Sequence, residues 1–123
     1  MKIDETSLTP LFVQVAQWIE SEILKDNIRE EEQIPSTNQF ASIYNINPAT
    51  ARKGFDILTE EGIIYKKRGI GMFVAEGAKE IIKTKAKDRF VNEALVSVLE
   101  EADRLGITVD EVIALIKNME GKR

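Results

Sequence analysis

At Gly62 the apolar period of the chain changes, and that change limits the possible folds more than any other feature. Before it, apolar residues recur at helical spacing. Leu11, Val15, Trp18, Ile19 and Ile23 form one run, Phe40 and Ile43 a second, and Ala51, Phe55 and Leu58 a third. After it come "IIYKK" and "MFVA", short β-branched or aromatic runs on either side of "RGIG". Two glycines this close permit a tight reversal, so the spacing predicts a β-hairpin with Lys66, Lys67 and Arg68 at its tip.

Local signals punctuate the helical part. Thr9 is a candidate N-cap with Pro10 in the first helical position, where no N–H bond is lost. The acidic "DNIREEEQ" breaks that first helix. Ser36 precedes Gln39 by three residues, a capping-box spacing, and predicts a short helix from Thr37 to about Tyr44 with Phe40 and Ile43 inward. "NIN" is a turn, Asn47 an N-cap and Pro48 a helix starter for a third helix reaching about Glu61. Gly62 supplies its left-handed terminus. Helix, helix, turn, helix and hairpin make the winged helix-turn-helix layout. The fold class is mainly α with a small β-hairpin.

Gly77 marks a joint, so the expected division is a winged domain over residues 1–76 and a helical region over 77–123. One long helix is expected from about Lys79 to Leu105. Val91, Leu95, Val98, Ala102 and Leu105 step by four and three, and Phe90, Ala94 and Leu99 widen that face. Gly106 ends it, and Thr108 with Glu111 is a second capping-box spacing. The last helix carries Val109, Val112, Ile113, Ile116 and Met119 on one side. This is more apolar surface than two helices bury alone. Packing onto the winged domain would satisfy it, and so would a two-fold dimer joined through Phe90, Val91, Leu95, Val98, Ala102, Leu105, Val112, Ile113 and Ile116. The dimer is the favoured reading.

The chain has neither cysteine nor histidine. That excludes disulfides, zinc fingers and any histidine-based acid–base chemistry. Neither an EF-hand spacing nor a phosphate-cradling loop is present, and no acid, base and nucleophile converge. No enzymatic activity, cofactor or metal is expected. No run of 18 apolar residues occurs, and the polar "MKIDETSLTP" lacks a signal-peptide core, so cytoplasmic residence without a membrane partner is expected.

The net charge of −4 argues by itself against nucleic acid, but the distribution matters more. Residues 1–46 hold three cations against eight acids, whereas residues 47–74 hold five cations against three acids. The positive charge falls in two clusters, Arg52 with Lys53 and Lys66 through Arg68.

Residues 34–74, "IPSTNQFASIYNINPATARKGFDILTEEGIIYKKRGIGMFV", resemble the GntR family of bacterial transcription regulators. The order Pro-Ser, helix, Asn-initiated helix with Thr and Arg, Leu-x-x-x-Gly and a glycine-containing hairpin ending Phe-Val carries the likeness. "PLFVQVAQWIESEIL" is similar to the family's first helix, so the resemblance covers about residues 8–75. The short helical tail resembles the YtrA-type subfamily, which implies dimerisation through two C-terminal helices. Asn38 stands where the family usually carries arginine, and Pro48 where a cation is frequent.

The resemblance implies a DNA-binding transcriptional regulator, a repressor that binds a palindromic operator as a homodimer. A recognition helix offers its N-terminal residues to the major groove. On that basis Asn47, Ala49, Thr50, Arg52 and Lys53 are the candidate contacts, with Arg52 suited to a bidentate guanine or phosphate contact. Ser36 would meet phosphate at the second helix, with Asn38 at the position of the family's arginine but without its cationic fork, and Thr37 and Gln39 weaker candidates. Arg68 and Gly69 would enter the minor groove with Lys66 and Lys67 on phosphates. Each has a plainer alternative: Asn47 as a cap only, the basic pair as solvated surface, the lysines as protection of a strand edge. A winged module that binds another protein is the competing class, favoured if Glu60 and Glu61 interrupt the basic patch.

Overall fold

The computed structural model describes residues Met1–Arg123. They form two compact units, Met1–Thr84 and Lys85–Arg123.

In the first unit, helix α1 (Leu11–Leu24) leads to strand β1 (Gln33–Ile34), helices α2 (Thr37–Tyr44) and α3 (Pro48–Glu60), and strands β2 (Ile64–Lys67) and β3 (Gly71–Val74). The three strands form an antiparallel sheet in the order β1-β3-β2. The hairpin of the sequence reading is therefore the larger part of a three-stranded sheet. The extra strand is two residues long, too short to show an alternating pattern.

The core is built from one stripe of each element. Val15, Ala16, Ile19 and Ile23 of α1 meet Phe40 and Ala41 of α2, and Ala51, Phe55 and Leu58 of α3. Ile63, Ile64 and Val74 close it from the sheet. Each large apolar side chain so buried contributes about 1.5–3 kcal/mol. Aromatic rings fix the angle between helices: Phe40 lies 4.6 Å from Tyr44 and 5.4 Å from Phe55, and Trp18 lies 5.1 Å from Tyr44. Gly54 lets α3 approach α1 closely, since a Cβ there would stand 2.8 Å from Val15 Cγ1 and 2.9 Å from the Phe12 carbonyl oxygen.

Three details differ from the sequence reading. Helix α1 starts one residue later than expected, with Pro10 as its N-cap and no side-chain cap bond, so Thr9 does not cap it. Ile43 is 62% exposed rather than inward; Ala41 and the flank of Tyr44 turn to the core instead. Lys66 and Lys67 pair within β2, opposite Met72 and Gly71, so the tip itself is Arg68–Ile70.

The acidic turn after α1 has a structural task. Glu30 accepts hydrogen bonds from the backbone N–H groups of Gly77 and Lys79, and Asp26 forms an ion pair with Lys79 Nζ at 2.9 Å. These carboxylates hold the start of helix α4 (Ala78–Arg89), whose Ala78 and Ile82 are buried in the first unit. The compact unit therefore extends past Gly77 to Thr84.

The helical run from Ala78 is not uniform. A π-helical stretch, Phe90–Leu95, separates α4 from helix α5 (Val96–Arg104), so the expected even stripe changes phase there. Gly106 has a left-handed φ of 71° and ends α5. Helix α6 (Val109–Glu120) opens with the Thr108–Glu111 capping box. In this second unit Ala102 is the only buried hydrophobic residue.

Candidate nucleic-acid interface

One reciprocal cap and one single cap place the helix-turn-helix. Ser36 Oγ accepts the Gln39 N–H at 3.1 Å, and Gln39 Oε1 accepts the Ser36 N–H at 3.0 Å. Gln39 is thereby committed to the cap, whereas Asn38 is exposed and Thr37 half-buried beside it. At the far end of α2, Asn45 adopts a left-handed conformation and the Ile46 N–H reaches back to the Ala41 carbonyl at 3.0 Å. Asn47 then caps α3, its Oδ1 accepting the Ala49 N–H at 2.8 Å.

With Ala51, Gly54, Phe55 and Leu58 buried, the rotation of α3 is fixed. Asn47, Pro48, Ala49, Arg52 and Lys53 are exposed. Arg52 forms no ion pair, even with Asp56 one turn further on. Lys53 Nζ lies 5.5 Å from the centre of the Phe12 ring, which holds it towards the first turn of α1. Thr50 is half-buried rather than free. It lines a cleft of about 340 Å³ shared with Met1, Ile3, Glu5 and Asn47, so the N-terminal segment lies beside the head of the helix. Gln14 pins that segment: its side chain accepts the Asp4 N–H at 2.9 Å and donates to the Asp4 and Thr9 carbonyls at 2.8 and 2.9 Å.

The wing is similarly fixed. The Ile70 N–H donates to the Lys67 carbonyl at 2.9 Å across the tip, with Gly69 at a φ of 79°. Lys67 Nζ sits 4.7 Å above the Phe73 ring, and Phe73 stacks on Tyr65. The Tyr65 hydroxyl donates to Glu31 at 2.9 Å, and that bond raises the pKa of the phenol. Lys66, Arg68 and Gly69 are exposed, and Lys66 and Arg68 form no ion pair. Two residues of the wing carry no signal in the sequence. Gln33 donates its side-chain N–H to the Ile70 carbonyl at 3.1 Å, and Ile70 itself is 63% exposed.

The acidic loop explains how a net-negative chain keeps these cations free. Asp26, Glu30 and Glu31 are engaged with Lys79, the α4 backbone and Tyr65. Glu60 and Glu61 lie at the C-terminal end of α3, about two helical turns from Arg52. No helix is long and apolar enough to cross a membrane.

The model of the family described as bacterial regulatory proteins, gntR family, matches residues 11–74. Over 97% of its length the chain is 29% identical to the HTH-type transcriptional repressor YtrA of Bacillus subtilis, covering 91% of that protein. Among solved structures it is similar to a GntR family transcriptional regulator from Listeria monocytogenes, with a TM-score of 0.70 and 26% identity over 94% of this chain and 98% of that one. A third likeness is the AraR DNA-binding domain in complex with operator ORR3. Its TM-score is 0.53 at 28% identity, covering 61% of this chain and 90% of that one.

Proposed function

Because the chain belongs to the gntR family of bacterial regulatory proteins, we propose that it is a repressor that binds a palindromic operator as a homodimer. It is a DNA-binding transcriptional regulator, not an enzyme. The observation that carries the finer reading is Arg52, turned outward by the buried Ala51 and Phe55 and left without an acidic partner. In this reading α3 enters the major groove, where Arg52 makes a bidentate contact to guanine or phosphate. Asn47, Ala49, Thr50 and Lys53 meet the flanking backbone and base edges. Ser36, Thr37 and Asn38 sit on phosphate at the positive end of α2. Lys66, Lys67, Arg68 and Gly69 approach the minor groove.

In this proposal residues 1–76 bind DNA and the helical region 77–123 dimerises, its first turn serving as the anchor that packs in the first unit. The support for dimerisation is the near-absence of a private core in the second unit. Phe90, Val91, Leu95, Val98, Leu105, Ile113 and Ile116 are exposed, which a second copy would remedy by covering the same faces. Ala102 and the half-buried Val112 would lie beneath that contact. The relative YtrA is itself a transcriptional repressor, which supports negative regulation. Any effector would act by altering the spacing of the two reading heads.

Selection of bound duplexes from a random-sequence pool tests this reading. An enriched inverted repeat with half-sites about one helical turn apart is expected. Absence of any enriched motif at low salt would overturn it. The two helical turns between Arg52 and the acidic end of α3 count against a module that binds only protein.

A further inference from the structure

We propose that Gln33 is a positioning residue that locks the wing tip, and that the lock presents Ile70 as an apolar contact for the minor groove of duplex DNA. The inference rests on the DNA-binding reading above and adds two residues to it.

The geometry begins in the sheet. Gln33 of β1 pairs with Phe73 of β3, and Gly71 lies two residues nearer the tip on the same face. Gly71 has no side chain, so the Gln33 amide passes over it and reaches the Ile70 carbonyl at 3.1 Å. A Cβ at Gly71 would stand 2.6 Å from Gln33 Nε2, and the φ of +145° there already disfavours other residues. Both peptide units that flank the Ile70 side chain are therefore held. Its N–H bonds Lys67 within the turn, and its carbonyl bonds Gln33 from outside it.

The side chain so presented is anomalous for a turn. Gly, Pro, Asn, Asp and Ser dominate such positions, for conformational or hydrogen-bonding reasons that isoleucine lacks. Ile70 has no place in the core, being 63% exposed. It projects from a tip that also carries the unpaired Arg68, beside Lys66 and Lys67 in β2. The minor groove offers what this combination fits: negative potential for the cations, and sugar and base-step surfaces against which apolar side chains wedge. The amide supplies the chemistry at residue 33: its N–H spans the distance to the Ile70 carbonyl and ties the tip to β1, which water at the same carbonyl would not do.

The experiment uses the full chain and an operator duplex selected by the wild-type protein from a random pool. Gln33→Met keeps the size of the side chain and removes the donor; Ile70→Ala and Ile70→Val probe the tip. Gln33→Met and Ile70→Ala should each weaken binding by about tenfold, the scale of one specific contact. Both should lose hydroxyl-radical protection in the minor groove beside each half-site, with unchanged melting temperature and unchanged guanine N7 protection in the major groove. Ile70→Val should bind as wild type. Gln33→Met should add little in the Ile70→Ala background, because it acts through that residue. Wild-type affinity and footprint for both Gln33→Met and Ile70→Ala would overturn the inference. Arg52→Ala separates the two levels: if it alone weakens binding, the DNA reading stands and the wing inference falls. If all three bind as wild type, the assignment of α3 as the reading head falls as well, while failure of the wild-type selection itself is what removes DNA binding.

Discussion

The Glu30 carboxylate accepts the backbone N–H of Gly77 at 2.9 Å, joining the acidic turn after α1 to the start of α4 across 47 residues of chain. Its second oxygen accepts the Lys79 N–H at 3.1 Å. These two bonds lower the pKa of Glu30 below the ordinary glutamate range, the bond from Gly77 being the larger cause. A group with a depressed folded pKa contributes stability that is present above its unfolded pKa and lost as pH falls through its folded one. Thermal melts of wild type and Glu30→Gln should therefore differ at neutral pH, with wild type the more stable. The gap should close as pH falls below the usual glutamate range. A gap that persists undiminished into strong acid would show that the carboxylate charge is not what holds α4.

Gly54→Ala should destabilise the chain. The helix-propensity gain of about 1 kcal/mol is outweighed by overpacking of about 1–3 kcal/mol. The obstacle includes the Phe12 carbonyl, which is backbone and cannot rotate away. Urea denaturation at constant m-value is the measurement.

Arg52→Ala should cost about 1–3 kcal/mol of operator affinity and relax the preference at one base pair. Lys53→Ala should weaken binding evenly across sequences and reduce the salt slope by about one. Competition between operator variants over a series of salt concentrations distinguishes the two. Equal behaviour of the two variants would remove the distinction between base and phosphate contacts drawn here.

Ile113→Glu should yield monomers in sedimentation velocity, since a carboxylate would be buried without a partner in the proposed contact. Operator binding by that variant should fall to the level of an isolated half-site, while the first unit retains its own melting transition. A wild-type chain that sediments as a monomer at micromolar concentration would remove the dimer from the proposal.

The helix-turn-helix was readable in the sequence because its signals are local. Ser36 and Gln39 are three residues apart, and Asn47 adjoins Pro48, so the bounds of α2 and α3 follow from short-range chemistry. The acidic turn read only as a break, because its partners Gly77 and Lys79 lie far along the chain. Strand β1 has no local signal for a related reason, as two residues carry no period and pair with a strand nearly forty residues later. Spacing alone points Ile43 inward. In an eight-residue helix with Phe40 and Tyr44 on either side of that position, the aromatic cluster fills the space first. The π-helical stretch has no composition that announces it.

Under the proposed pairing, a C-terminal unit with Ala102 as its single buried hydrophobic would make chain abundance itself a regulatory variable. Active protein would rise with the square of chain concentration while most chains are unpaired. Dilution during growth would then remove active protein more steeply than total protein. Release of the controlled promoter would fall within a narrower range of expression than a solitary reading head could provide.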